Sequence, residues 1–315
     1  MRAFTVTVPV RLDVFLTNKT ESVSRAKARK MIEVGNVEVD GKISKKPAMM
    51  LKPGSTVTIH TNSPEEAPSR ITPSQITFDI LYEDNRCMVI DKPQDLTVHP
   101  GSGTRDEATL LHGLAFLFKE RGLSFDESNV LAHRLDKGTT GCLLVAKDSD
   151  AHVLLQKQFM NRTIEKQYLA VVAGIPKPAS AIIDAPIGRS TVDRKKMGIS
   201  KASAQRSAQT TYRTLSTSRD AALLLCLPKT GRTHQLRVHL HSIGHPILGD
   251  SAYGSSESKK MSVAHDISAL SLHAWKIAFM SPDDGRIHEV TAPVPKSFVE
   301  TIDLMGLEMP KTVGR

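Results

Sequence analysis

The sequence predicts an α+β fold. A mixed, mostly antiparallel sheet forms the larger part, preceded by a small α/β unit. Three observations carry this. Beyond residue 77, short apolar runs outnumber helical periods and do not alternate with them in a βαβ rhythm. Residues 61–76 hold three prolines and few large apolar side chains, which is linker composition. The 315-residue length suits two domains at roughly 100–200 residues each. The expected division is 1–60, a linker at 61–76, a second domain at 77–305, and a frayed tail at 306–315.

The first unit reads as helix, helix, hairpin. Leu12, Phe15 and Leu16 stand at i, i+3 and i+4, one apolar helix face. A second helix starts after Ser22-Val23-Ser24, where a serine can cap it, and stops at Gly35. On it Arg25 and Arg29 share one face, Ala28 and Ile32 another. Asn36 to Val39 alternates and turns at Asp40-Gly41, a hairpin signal. Pro53-Gly54 turns again before a strand at 55–59.

In the second domain, Phe78 to Tyr82 and Cys87 to Ile90 read as strands around a turn at 83–85. Leu110 to Lys119 reads as a helix. Gly141 to Ala146 is continuously apolar, hence a buried strand. An amphipathic helix runs from Ser149, its expected cap, to Met160. Tyr168 to Val172 and Ala221 to Leu227 are strands, and Thr233 to Ile243 is a helix closed by Gly244.

Composition excludes several classes. With 40 % apolar and 24 % charged residues the chain has enough to bury, so chain-wide disorder is excluded. No apolar run reaches the ~20 residues of a membrane span, and the N-terminus lacks the pattern of a secretory signal, so a cytoplasmic, membrane-free protein is expected. Cys87, Cys142 and Cys226 are scattered and odd in number, which predicts small core residues and no disulfide framework. The net charge is +9, and residues 1–60 alone hold 11 Lys/Arg against 5 Asp/Glu. That asymmetry points to a polyanion partner for the N-terminal unit.

Two segments stand out for chemistry. His133-Arg134-Leu135-Asp136-Lys137-Gly138-Thr139-Thr140-Gly141 leads straight into the buried strand and displays Asp136 at its mouth. Gly231-Arg232-Thr233-His234-Gln235-Leu236-Arg237-Val238-His239 places His234, Arg237 and His241 on one helical face, with Leu236, Leu240 and Ile243 on another. An arginine so placed is suited to hold a carboxylate ionised. Taken alone, an Asp among Arg and Lys is ordinarily a surface ion pair. The histidines at 234, 239, 241 and 245 have no acidic or Cys partner at ligand spacing, so no metal is expected.

Residues 9–60, through RLDVFL, SRAKARKMIEVGNVEVDGK and LKPGSTVTI, resemble the S4-like RNA-binding domain. Residues 78–300 resemble the RluA family of RNA pseudouridine synthases: HRLDKGTTG and GRTHQLRVH match its two signatures, flanked by Asp91-Lys92-Pro93, EKQYLAVVAG, and His245-Pro246-Ile247-Leu248-Gly249-Asp250 with Tyr253-Gly254. The resemblance implies the pseudouridine synthase fold, an isomerase without cofactor or metal, and 23S ribosomal RNA or a pre-ribosomal particle as the partner of a monomer. It implies Asp136 as the catalytic carboxylate, Tyr168 as the tyrosine stacked on uracil, and Arg237 as the arginine paired with Asp136. Arg134 is similar to the residue that helps extrude the base, and Arg232 and His234 are candidates for RNA contact. On the S4-like helix, Ser24, Arg25, Lys27, Arg29 and Lys30 would face RNA phosphates.

A second basic stretch, Arg189, Arg194, Lys195, Lys196, Lys201 and Arg206, reads as a positive loop for gripping folded RNA. Two departures from the family pattern, Gln94-Asp95 where Ala/Ser-Gly is usual and Ser281 where His is, put a changed turn and substrate fit in question. The residues leave two further readings open. One is an RNA-binding or ribosome-assembly factor with secondary or lost catalysis, which has no reason to keep Asp136, Tyr168 and Arg237 together. The other is a nucleoside hydrolase, which has no need of an S4-like unit.

Overall fold

Alternation and tight turns build the first sheet in the computed structural model, which describes residues 2–19, 25–60, 71–100, 107–190, 193, 196–199 and 205–309. Its elements are β1 (Arg2–Thr5), β2 (Val10–Arg11), α1 (Leu12–Lys19), α2 (Arg25–Glu33), β3 (Val37–Val39), β4 (Lys42–Ile43), β5 (Met50–Leu51) and β6 (Thr56–Ile59). The order β1-β6-β3-β4 is antiparallel throughout, and β2 pairs with β5. Leu12, Phe15 and Leu16 pack on Ala28 and Ile32 and on Val37, Val39 and Val57, so each apolar position of the two predicted faces is buried. Asp40 and Gly41 close β3–β4 with φ of 52° and 75°, the two left-handed residues of a hairpin turn. The expected cap at Ser22–Ser24 and most of the 61–76 stretch lie outside the described residues.

The larger sheet begins with β7 (Asp79–Glu83) and β8 (Cys87–Lys92), followed by α3 (Leu110–Glu120), β9 (Thr140–Ala146), α4 (Ser149–Asn161) and β10 (Glu165–Ala173). Next come β11 (Ser180–Asp184), β12 (Ile187–Arg189), β13 (Met197–Ile199), β14 (Gln209–Thr217) and β15 (Ala221–Pro228). α5 (Gln235–Ser242), α6 (Ser256–Ala264), β16 (Leu272–Met280), β17 (Ile287–Thr291) and α7 (Lys296–Leu304) complete it. The sheet runs β11-β14-β15-β10-β16-β9-β8-β7, with β17 also on β16. Among the described residues its one parallel pairing is β16 with β9, at His273–Thr140 and Ala274–Gly141. A Cβ on Gly141, whose φ is 102°, would collide with the Ala274 carbonyl, so glycine lets these strands close at the sheet's centre.

The continuous apolar run in β9 is explained by burial on both faces. Leu143 and Val145 join α3 residues Leu110, Leu114 and Phe118, while Cys142, Leu144 and Ala146 join Ala151 and Leu155 of α4. α5 lays Leu236 and Leu240 on Leu224 and Cys226 of β15. All three cysteines are buried and free.

Three local expectations are corrected. The cap of α4 is Asp148, whose carboxylate accepts from Asp150 N and Ala151 N, because its side chain reaches both free amides. α5 begins at Gln235, because His234 takes a left-handed φ of 56°. Part of the positive loop is an ordered hairpin, β12–β13, in which Lys196 donates to Ala252 O at 2.7 Å. Arg194, Lys195 and Lys201 lie outside the described residues.

Candidate active site

Asp136 owes its position to what its neighbours bury. Leu135 sits in the α3 core. His133 Nε2 accepts the Leu144 N–H at 2.9 Å, and its ring lies against Phe159 with centroids 4.7 Å apart. Burial, helped by nearby Lys166, pulls His133 down to about 3, so it is a neutral acceptor. With 133 and 135 turned inward, Arg134 is exposed and Asp136 faces a cleft. Thr139 N donates to Asp136 O at 3.1 Å and closes the turn. Behind it lies Lys92, 0 % exposed, whose Nζ donates to the carbonyls of Pro93 (2.8 Å), Leu96 (3.0 Å) and Lys137 (2.9 Å). Burial pulls this ammonium down to about 8, against the pull of Asp95, Asp136 and Asp91, so it is charged at neutral pH.

The second segment is stapled by Gln235. Its Oε1 accepts from Thr230 Oγ1 (2.7 Å) and Arg232 N (3.0 Å), and its Nε2 donates to Gln209 O and Thr210 Oγ1, both at 3.0 Å. The loop before α5 is thereby fixed to β14. Two residues on, Arg237 reaches Asp136 with Nη1 at 3.3 Å from Oδ2. Its tighter partner is Asp250: Nε to Oδ2 is 2.7 Å and Nη2 to Oδ1 is 2.8 Å. Asp250 Oδ1 also accepts from Ala252 N and Tyr253 N, each at 3.0 Å. Burial works against its charged form, but Arg237 and these two N–H groups together hold its carboxyl below the ordinary carboxylate value. Burial likewise opposes the Arg237 charge, and Asp250 and then Asp136 more than restore it.

His234 sits on the other side of Asp136, with Nε2 3.9 Å from Oδ1. Its Nδ1 is 2.7 Å from Tyr253 OH, which accepts the Met197 N–H at 2.9 Å. The carboxylate favours the imidazole proton on Nε2, which leaves Nδ1 to accept from Tyr253. Burial lowers the His234 pKa more than Asp136 raises it. The Tyr253 ring lies under the Arg237 guanidinium at 4.9 Å.

These groups share a cleft of about 540 Å³ whose lining includes Asp136, Tyr168, Arg237, Arg134, Arg232 and His234. Tyr168 comes from β10, at a bulge between Gln167 and Tyr168 opposite β16. Burial, then the Asp136 charge, raises its phenol well above the ordinary value, so it stays protonated. Arg134 makes no hydrogen bond or ion pair among the described residues, while Arg232 Nε donates to Ser207 O at 3.1 Å. Of the five S4-like candidates, Arg29 on α2 is exposed and bonded to Glu33 at 2.8 Å, Ser24 lies outside the described residues, and so do the side chains of Arg25, Lys27 and Lys30.

Lys92, Asp250 and Tyr253 lie in blocks that carry the family resemblance, yet nothing local in the sequence assigns them a task. An acid directly after an apolar run, as in Ile247-Leu248-Gly249-Asp250 with no base beside it, was the available signal. The two departures also find places. Asp95 adopts φ 57°, so it keeps the left-handed turn that a glycine would take. Ser281 is buried and donates to Asp84 Oδ2 at 2.5 Å. The histidines at 239 and 245 are tied to protein groups, His239 to Thr210 and Ala185 O and His245 to Ala173 O. Among the described residues no group of three or more His, Cys, Asp or Glu could hold a metal ion.

An open-sided carboxylate flanked by a guanidinium and an imidazole, with an aromatic wall, can serve as nucleophile or general base toward a flat ligand. Residues 86–242 match the RNA pseudouridylate synthase family, and residues 10–57 match the S4 domain. The chain is 34 % identical to an uncharacterised RNA pseudouridine synthase of Synechocystis, over 96 % of this chain and 91 % of that protein. It is also 34 % identical to the ribosomal large subunit pseudouridine synthase D of Zymomonas mobilis, over 91 % of this chain and 90 % of that protein. A solved structure, human RNA pseudouridylate synthase domain containing 4, superposes with a TM-score of 0.59 at 28 % identity, over 74 % of this chain and 94 % of that one. The chain belongs to the RNA pseudouridine synthases and carries an N-terminal S4 domain. It is therefore an isomerase of the pseudouridine synthase class.

Proposed function

We propose that this enzyme converts specific uridines of 23S ribosomal RNA to pseudouridine in the cytoplasm, with Asp136 as its catalytic carboxylate. The observation that supports this most is the convergence of Asp136, Tyr168 and Arg237 in one cleft. The reaction breaks the bond from C1′ of ribose to N1 of uracil and forms one from C1′ to C5. A proton leaves C5 and one is gained at N1, so the change is an isomerisation. Asp136 stands as nucleophile or base beside the sugar, Tyr168 as the wall against which uracil stacks, and Arg237 as the counter-charge that orients the carboxylate. Arg134, exposed at the rim, fills the place of the extruded base. The S4 domain adds phosphate contacts that offset the few kcal/mol of unstacking.

The test incubates wild type and Asp136→Asn with deproteinised ribosomal RNA and maps pseudouridine by carbodiimide-blocked primer extension. Wild type is expected to add blocked positions and Asp136→Asn none, with a turnover loss on the order of 10⁴ and RNA affinity retained. Modification by the variant, or none by wild type, refutes the proposal.

A further inference from the structure

Apart from Asp136, the lining of the cleft carries positive charge and no acid. Arg162, Lys166, Lys229 and Arg232 all line it, and no ion pair joins any of them among the described residues. Arg162 is the left-handed residue (φ 59°) that ends α4, and it is exposed. Lys166, on β10, is half-buried; its Nζ lies 3.4 Å from Thr230 O and 6.0 Å from the Phe159 ring centroid. Burial pulls this ammonium down to about 8. Burial, then the charges of Arg206 and Arg162, disfavours the Arg232 guanidinium as well. A half-buried cation that has lost water and gained one long carbonyl contact is an unfavourable arrangement unless an anion completes it.

The substrate chemistry says which anion. A uridine turned into the cleft brings the phosphates covalently attached on either side of its ribose. They cannot sit against Asp136, where like charges repel, and the cations of the lining attract them. We infer that Lys166, Arg162 and Arg232 form a subsite for the phosphodiester flanking the reacting uridine. This rests on RNA being the substrate. The subsite holds the backbone while the sugar meets Asp136, and it reads charge, not sequence.

The test measures binding of the full chain to deproteinised large-subunit ribosomal RNA by filter retention over a range of salt, with thermal melts of every variant. All variants are made both in wild type and in Asp136→Asn, so binding is read without turnover. Lys166→Gln is expected to weaken binding about 5- to 10-fold and to flatten the slope of log K against log salt by about 0.7–0.9, one phosphate contact. Arg162→Asn is expected to do the same, and Asn adopts the left-handed cap readily, so this variant keeps the fold. Lys166→Arg is expected to restore the slope, and in active enzyme the Lys166→Gln loss falls on KM, not kcat. Unchanged affinity and slope in both charge-removing variants, or failure of Lys166→Arg to restore them, overturns the subsite. Absence of pseudouridine with wild type would refute the proposed RNA target instead, and the binding data would still decide the subsite.

Discussion

Two turns of the molecule meet on Arg237 and hold it in different ways. The turn at 250–253 grips two guanidinium nitrogens at 2.7 and 2.8 Å with a carboxylate that is 0 % exposed and already bound to two backbone N–H groups. The turn at 136–139 touches the third nitrogen at 3.3 Å with a carboxylate 17 % exposed and open to the cleft. The same acid type beside the same arginine is anchored in one case and available in the other. Asp250 neutralises the arginine, so Asp136 can lie next to positive charge without being consumed by it.

Removing one acid at a time is the strongest way to break that contrast. Asp250→Ala leaves the Arg237 guanidinium buried and unpaired, and is expected to cost about 3–5 kcal/mol of stability. Asp136→Ala removes a single long hydrogen bond and is expected to cost about 1 kcal/mol or less. Thermal melts of the two variants decide it; equal losses would mean that both acids are structural. The pH dependence has a definite sign. The folded pKa of Asp250 is lowered from 3.8, so the unfolded chain binds the extra proton at acid pH. The stability it contributes is present above the ordinary carboxylate value and is lost as pH falls below it. Asp250→Asn should lack this acid-limb loss in melts taken between pH 7 and pH 3.

The sequence made one turn far more legible than the other. Asp136 lies in a local signature whose apolar continuation, Cys142 to Ala146, reads as a buried strand, and the structure buries every residue of it. The α1 face and the Asp40-Gly41 hairpin were legible for the same reason, since periodicity and turn chemistry act within a few residues. Asp250 acts on a residue 13 positions away, across a helix end and a turn, and no local pattern encodes that pairing. The helical spacing places His234 on α5, but with its left-handed φ the helix begins one residue later, and helix propensity does not register such an angle. α6 shows no apolar period because it buries only Ser258 and Ser262, whereas α7 buries Phe298, Thr301 and Ile302 at i, i+3 and i+4, a helical period the sequence does carry.

Lys92 offers a middle-sized test of whether the open turn needs support from behind. Lys92→Met fills similar space but leaves the carbonyls of Pro93, Leu96 and Lys137 without their donor. Relief of the buried charge offsets part of this, so the expected loss is about 2 kcal/mol. Because Lys137 follows Asp136 directly, kcat should fall while RNA affinity holds. A variant with normal kcat and lowered stability would confine Lys92 to the fold.

The finest probe is Tyr253→Phe, which belongs to the buried turn but touches the open one. The ring that underlies Arg237 at 4.9 Å stays, and only the hydroxyl's contacts to His234 and Met197 go. The expected stability loss is about 1 kcal/mol, a fall of roughly 2–4 °C in Tm for a domain of this size. The effect on activity should appear in the acid limb. A hydrogen bond donated to Nδ1 favours neutral imidazole, so losing it raises the His234 pKa. The imidazolium then forms at higher pH and pairs with Asp136 Oδ1, which lies 3.9 Å away, and that withdraws the carboxylate from the substrate. The acid limb of kcat/KM should therefore move to higher pH in Tyr253→Phe and to lower pH in His234→Asn. An unmoved limb would show that the two turns share Arg237 and nothing more.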